Sequence, residues 1–369
     1  MRPASGWGYR RRSASWASKR AHSLLIDFLW ARGYAQLYIL APGMVNSTRG
    51  RFRQSGARTD TSDARVIADI LRTDLARLTP WRPDSDLTQQ LRAQVGLILY
   101  LKHSLVRATN RLRSVLVRYY PAAVETFGDL TAQIALHFVQ EFPTPQAAAA
   151  LSWDEFVAFA HCHHYSQTQR LPDRYAQLQH ARPQPNPAAC LAYQAQSATL
   201  ARLALELVLT ERREQSTLSN LFDQHPDAPI FRSLPGLGVF LAPAMLAQFG
   251  DDRQRFSSPH LLQALAGTCP VTKSSGKRRS IQFRTACDHD FRWMAHQWAM
   301  ASVISVKSPW AIAYWHAARE RCASDSHAYR CLANRWLAVA WKLWQSRQPY
   351  DEAVHFQRSL ERSKPRPSA

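Results

Sequence analysis

The sequence predicts a mainly α-helical protein with a small α/β part. Three observations carry this. Asp86 to Tyr120 repeats apolar residues at helical spacing with no proline until Pro121, and Asn186 to Phe222 repeats the pattern in kind. A strand signal is confined to Tyr34 to Leu40, between a helix-like stretch and a turn. Seven of the twelve tryptophans fall between Trp293 and Trp344, inside segments that read as helices.

Composition bounds the rest. The chain has 369 residues, long enough for two or three domains. With 46% hydrophobic and 20% charged residues it has ordinary globular composition, away from the disordered class. Lys+Arg 47 against Asp+Glu 27 gives a formal charge of +20, so the excess sits on a folded body and favours capture of polyanions such as DNA or RNA. The alternative is charge kept for solubility. The six cysteines form no CxxC pair, which fits a reduced, cytosolic chain. The basic, Trp/Ser-rich start shows no secretory leader, and no stretch has the apolar length to span a bilayer.

Taken in order, residues 1–20 lack a sustained period and receive no structure. His22 to Arg32 reads as a helix, with Leu24, Leu25, Phe28 and Leu29 recurring at helical spacing and Gly33 where a helix commonly stops. The strand Tyr34 to Leu40 follows, closed by Pro42-Gly43. Asp60 to Leu78 reads as a helix with Val66, Ile67, Ile70, Leu71 and Leu75 on one face and Asp60 and Asp63 in its first turn. Asp86 to Tyr120 would extend about 50 Å, carrying Leu87, Leu91, Val95, Ile98, Leu105, Leu112 and Leu116. Asn186 to Phe222 carries Leu200, Leu203, Leu207, Leu218 and Leu221. The two form either an antiparallel coiled coil or separate helices of a bundle. Leu332, Trp336, Val339 and Leu343 share a helix face, and tryptophan at that spacing is core rather than a base-stacking platform. Beyond Leu360 the chain reads as a polar, basic tail.

Three constellations could do chemistry. In Arg58-Thr59-Asp60-Thr61-Ser62-Asp63, two carboxylates three residues apart project from nearly one side of a helix start. That suits a shared divalent metal, and equally suits caps opposing the macrodipole. Ser233-Leu234-Pro235-Gly236-Leu237-Gly238 is either a tight interhelical turn or the hairpin of a helix-hairpin-helix, with the Gly236 and Gly238 amides open to a phosphate oxygen. Lys273-Ser274-Ser275-Gly276-Lys277-Arg278-Arg279 sets two serines among four cations. A serine there can attack phosphorus while the cations hold the phosphate; the plainer reading is a basic loop touching phosphate. His161-Cys162-His163-His164 is too compressed for a tetrahedral zinc site, and no second Cys/His pair has a matching interval.

These elements in this order, Thr59 to Ala64, the long helices, LPGLG and ALAGTCPVTKSSGK, resemble the DEDD-type insertion-sequence transposases related to Piv-type invertases. The resemblance runs from about Ser23 to about Tyr350. It implies an RNase H-type, RuvC-like domain with an Asp-Glu-Asp-Asp tetrad, a coiled-coil insertion, and a C-terminal helical domain with a catalytic serine. It further implies DNA and a structured guide RNA of the element as partners, dimers or tetramers, and a cytoplasmic, nucleoid-associated bacterial protein. Carried over, Asp60 and Asp63 are the third and fourth acidic residues and hold Mg²⁺ at a composite site, and Ser275 attacks a phosphodiester. Lys273, Lys277, Arg278, Arg279, Arg58 and the amides of Gly236 and Gly238 lie near phosphate.

The chain departs from that pattern at its start. Asp27 is the one carboxylate before Asp60, and the first glutamate is Glu125. The first two acidic positions are thus unmatched, and the expectation is a truncated RuvC-like half with a single strand and exposed apolar surface. The division expected is 1–20 foreign or disordered, 21–83 truncated RuvC-like, 84–228 coiled-coil, 229–350 C-terminal helical and 351–369 tail. The function expected is a transposase or recombinase impaired in its acidic site. The alternatives are a non-catalytic nucleic-acid-binding remnant and a metal-dependent junction nuclease.

Overall fold

The computed structural model describes residues 16–18, 24–52, 59–180, 186–276 and 278–363. The chain divides into two compact units, residues 1–85 with 251–257 and residues 86–250 with 258–369.

In the first unit, β1 (Trp16–Ser18) pairs in parallel with β2 (Leu37–Ile39), and α1 (Leu24–Ala31) is the crossover that parallel neighbours require. The strand at 16–18 corrects both the structureless reading of residues 1–20 and the expected lone strand. A run of three residues is too short for alternation to show. Helical spacing does not by itself mark the inward face of α1. Ile26 and Leu29 are buried, while Leu24, Leu25 and Phe28 are exposed, Leu24 to 90%. The helix is apolar almost all round, so spacing alone cannot choose its face.

Pro42-Gly43 does not close the strand with a turn. Pro42 opens α2 (Pro42–Arg49), where its missing N–H leaves no helical bond unmade. In α3 (Asp60–Asp74), Thr59 Oγ1 accepts from Ser62 N and Ser62 Oγ from Thr59 N, each at 3.1 Å, a reciprocal capping box. Val66 and Ile70 bury against Leu40 and Val45, and the turn beyond Asp74 tightens to a 3₁₀ helix over Leu75–Arg77. Residues 251–257 join this unit through Asp84, whose Oδ1 accepts from Asp251 N at 2.9 Å, and through Asp251 Oδ2, which accepts from Ser85 N at 2.6 Å.

The second unit is built on α4 (Asp86–Tyr119), followed by α5 (Pro121–Phe127), α6 (Gln133–Glu141), α7 (Pro145–Ala149), α8 (Trp153–Cys162) and α9 (Leu171–Gln179), and then α10 (Pro187–Asp223). Thr88 bonds His225, Gln94 bonds Glu214, Lys102 pairs with Glu211 and Tyr119 bonds Ser197. Partners rise along one segment and fall along the other, so α4 and α10 run antiparallel. Asn186 caps α10, its Oδ1 accepting from Ala188 N at 2.9 Å. The leucines of α10 mark its buried side in part: Leu218 is buried and Leu200, Leu207 and Leu221 are half-buried. Ala201, Ala204 and Val208 are buried, whereas Leu203 is 52% exposed. Small side chains at the seam let the two axes approach, and the leucine count hid that. Around the α5 to α9 end, Leu112, Leu116, Phe138, Phe156 and Ala204 belong to one apolar cluster.

The chain continues through α11 (Ala228–Arg232), α12 (Leu241–Phe249) and α13 (Pro259–Leu265), the hairpin β3 (Val271–Ser275) and β4 (Arg278–Gln282), and then α14 (His289–Ile304), α15 (Pro309–Arg319), α16 (Asp325–Ser346) and α17 (Glu352–Ser363). Long-helix and C-terminal segments therefore form one unit rather than two. Trp298, Trp336 and Trp344 are fully buried and Trp310 nearly so, which is the core role predicted for them. On α16 the inward residues are Leu332, Ala333, Trp336, Leu337, Ala340 and Trp344, with Val339 and Leu343 half-buried. The segment read as a tail is helical over Glu352–Ser363. Glu352 Oε1 accepts from Ser308 Oγ at 2.5 Å and Trp310 N at 3.3 Å, placing a carboxylate at the start of α15. No helix among the described residues is long and apolar enough to cross a membrane.

Candidate functional site

The predicted basic loop is an antiparallel hairpin. Its register sets Lys273 opposite Ser280, Ser274 opposite Arg279 and Ser275 opposite Arg278. Because side chains alternate along a strand, Lys273, Ser275, Arg278 and Ser280 share one face, and Ser274 and Arg279 lie on the other. Directly opposed residues have Cβ atoms roughly 5 Å apart, so each serine stands across from a guanidinium. Gly276 turns the chain at φ +55°, a left-handed conformation that glycine adopts without strain. Thr272 to Ser275 and Arg278 to Gln282 are all exposed. Lys273, Arg278 and Arg279 have no carboxylate partner among the described residues. A two-stranded ribbon with neither face packed is marginally stable alone. Lys277 and Arg58 lie outside the described residues.

The foot of the hairpin is firmly held. Arg284 Nε donates to the Cys269 carbonyl at 3.3 Å, and Arg292 donates to the Arg284 carbonyl. Thr268 Oγ1 meets Asn334 Oδ1 of α16 at 2.9 Å. The Phe283 ring has Arg292 4.4 Å and Arg330 4.9 Å from its centroid. A cavity of about 300 Å³ opens beside this foot, lined by Gly267, Phe283, Arg284, His327, Cys331 and Asn334 among others. Sequence reading missed Phe283, Arg292 and Arg330, since their pairing is made across three elements.

In the Leu234 to Gly238 turn, Trp298 Nε1 donates to the Pro235 carbonyl at 2.9 Å, and Leu234 and Leu237 are buried. Gly236 sits at φ +86°, where a Cβ would come 2.6 Å from Ser302 N and 2.9 Å from Ser302 Cα of α14. Glycine is required here by helix packing. Gly238 is exposed at the approach to α12, with open space around a Cβ position. Gly236→Ala is expected to destabilise the fold by roughly 2–5 kcal/mol, from backbone strain plus overpacking. Gly238→Ala should stay within about 0.5 kcal/mol. Urea unfolding followed by circular dichroism measures both.

The acidic pair is divided in its environment. Asp60 is exposed at the start of α3, whereas Asp63 is part-buried and forms an ion pair with Arg49 of α2, a partner the sequence did not reveal. Both offer the hard oxygens magnesium prefers. Among the described residues no third His, Cys, Asp or Glu groups with them, and Arg49 already neutralises one. The fit to a divalent cation is therefore incomplete without oxygens from another molecule. The structure also brings together two clusters that spacing did not suggest: Cys322, His327 and Cys331, and His137, Glu141 and His163. The motif His161 to His164 contributes only His163 to the second.

The acidic helix start and the cationic hairpin each fall within a segment that matches a family model. Residues 14–121 match the family model of IS110-type DEDD transposases, and residues 228–316 match that of transposases of the IS116/IS110/IS902 family. The chain belongs to this IS110/IS116/IS902 family of insertion-sequence transposases. It is 30% identical over 354 residues to the "Mini-circle putative transposase for IS117" of Streptomyces coelicolor, covering 92% of this chain and 83% of that one. It is 29% identical over 342 residues to a 42 kDa protein of insertion element IS900 of Mycobacterium paratuberculosis, covering 90% and 82%. A 44.8 kDa protein of insertion element IS116 of Streptomyces clavuligerus shares 26% over 353 residues, covering 93% and 85%.

Proposed function

We propose that this transposase cuts and joins DNA through Ser275. Ser275 Oγ gives up its proton and attacks phosphorus, an Oγ–P bond forms, and the bond to a deoxyribose oxygen breaks, that oxygen taking up a proton so that none is gained or lost overall. The phosphoserine ester conserves the bond energy, so a new strand's hydroxyl can reverse the step and join. The observation that carries this reading is the register: Ser275 stands opposite Arg278, with Lys273 on the same exposed face. These cations hold the phosphate and offset the charge that grows on its oxygens. Arg279 on the reverse face, and the amides at Gly236 and Gly238, are assigned to the DNA backbone, the latter as the hairpin of a helix-hairpin-helix.

The parallel β1–α1–β2 unit supports a RuvC-like first unit. Asp60 and Asp63 are the residues of that unit that would hold Mg²⁺, completed by phosphate oxygens. When bound, that ion would stabilise charge on a phosphate. A structured RNA of the element as guide, and a dimer or tetramer as the working form, complete the proposal. The net charge of +20 supports polyanionic partners.

The test is a covalent adduct. Incubated with DNA carrying the element's ends and its RNA, then denatured, the protein is expected to remain attached to DNA through serine. A second reading, a binder without chemistry, is favoured by the Asp63–Arg49 ion pair, which occupies one acidic residue. It predicts binding with no adduct. Both readings predict DNA affinity that falls steeply with salt, with log K declining by nearly one unit per phosphate contact for each tenfold rise in salt. Replacing Lys273, Arg278 and Arg279 by alanine together should flatten that slope by about three; filter binding over a salt series measures it.

A further inference from the structure

We propose that Cys322, His327 and Cys331 bind a zinc ion that fastens the turn between α15 and α16 at the wall beside the hairpin foot. His327 and Cys331 are four residues apart near the start of α16, so their side chains share one helix face. Cys322 lies in the turn just before it, where Cys322 N bonds the Arg319 carbonyl at 3.4 Å. The two sulfurs stand 3.8 Å apart. Candidate ligand atoms of all three residues lie within 4.8 Å of one another.

These spacings suit a zinc ion. Zinc–sulfur bonds of about 2.3 Å at tetrahedral angles put two thiolates about 3.8 Å apart. A disulfide needs about 2.05 Å instead, so the pair is spaced as one edge of a zinc tetrahedron. Thiolate and imidazole are soft and borderline donors that favour zinc over magnesium or calcium. Binding balances simply: two S–H bonds break, two Zn–S bonds form, both protons go to solvent, and neutral His327 supplies a nitrogen lone pair. Two thiolates neutralise the dication. Three protein ligands leave a fourth position for water.

The other cluster does not suit a metal. The His137 and His163 rings stack with centroids 4.0 Å apart and planes 20° from parallel. Metals lie in the imidazole plane, and stacked rings direct their nitrogens side by side rather than at one point. Glu141 is also already bonded to His163 Nε2 at 2.5 Å.

The position gives the zinc a consequence. His327 and Cys331 line the cavity at the hairpin foot, together with Phe283 and Asn334, which hold that foot. A metal there would fix the start of α16, the segment that carries Arg330 and Asn334.

The full chain, purified without a metal-affinity tag, is expected to carry stoichiometric zinc by mass spectrometry. It should accept Co²⁺ in place of zinc, with tetrahedral ligand-field bands and thiolate-to-metal charge-transfer absorption. Cys331→Ser and His327→Ala should lose at least about tenfold in metal affinity, while Cys162→Ser keeps it. Wild-type protein that is folded yet takes up neither metal overturns the proposal, whatever the variants do. Metal uptake that survives both ligand substitutions, a cobalt spectrum without thiolate bands, or loss of metal in Cys162→Ser instead would overturn it equally.

Discussion

Replacing Ser275 by alanine is expected to abolish the covalent protein–DNA adduct and lower strand exchange by about a thousandfold or more, the scale on which loss of an attacking group is felt. DNA affinity should change by less than about threefold, because a neutral hydroxyl adds little to phosphate binding beside Lys273, Arg278 and Arg279. The neighbouring serine is the control that geometry supplies. Ser274 faces Arg279 on the opposite side of the ribbon, so it has the same chemistry, the same exposure and the wrong direction. Ser274→Ala should retain at least about a tenth of the activity. Denaturing gels with end-labelled DNA read the adduct, and recombination of a two-site plasmid reads exchange. If Ser274→Ala abolished the adduct and Ser275→Ala did not, the assignment would move to the other face. Arg278→Ala should fall between the two, since it removes charge stabilisation and leaves the nucleophile.

Much of this was legible from residues alone, and the boundary has physical causes. The ends of α4 and α10 were readable because long apolar periods, Pro121 and the Asn186-Pro187 start are local signals. The facing residues were less so. Ala201 and Ala204 are poor hydrophobic markers, yet both are fully buried; of the five leucines named for α10, Leu218 is buried, Leu200, Leu207 and Leu221 are half-buried, and Leu203 is exposed. The motif Lys273 to Arg279 announced its chemistry but not its form. A hairpin exposed on both faces has no apolar alternation to betray it. Gly236 was singled out for its amide; its demand comes from Ser302, sixty-six residues later in the chain. Arg49 beside Asp63 and Cys322 beside Cys331 are likewise tertiary facts.

Trp336→Ala is expected to cost roughly 4–5 kcal/mol, near the upper end for an aromatic removed from a core. The indole is fully buried on α16. It stacks on Trp298 with centroids 5.3 Å apart and meets Trp310 edge-on at 4.6 Å and Tyr350 at 5.5 Å. Alanine would therefore open a cavity walled by three large rings that cannot all collapse into it. A polar cost adds to this. Trp336 Nε1 donates to Ser302 Oγ at 3.0 Å, and Ser302 Oγ donates onward to the Ala299 carbonyl, so the hydroxyl would lose its one donor among the described residues. Ser302 is also the backbone that Gly236 packs against, so any shift reaches the Leu234 to Gly238 turn. The melting temperature should fall by roughly 10 °C. Trp336→Phe, which keeps most of the volume and loses the hydrogen bond, should cost about 1–2 kcal/mol. Trp293→Ala, at 40% exposure, should barely move it. The same three variants separate a core tryptophan from a base-stacking one. A core residue loses stability first and DNA affinity only as the folded fraction falls, whereas a stacking platform loses about 1–3 kcal/mol of binding per base with the fold intact. Calorimetry and DNA titration at 20 °C, well below the melt, distinguish the two, and an unchanged melt with weakened binding in Trp336→Ala would overturn the core role.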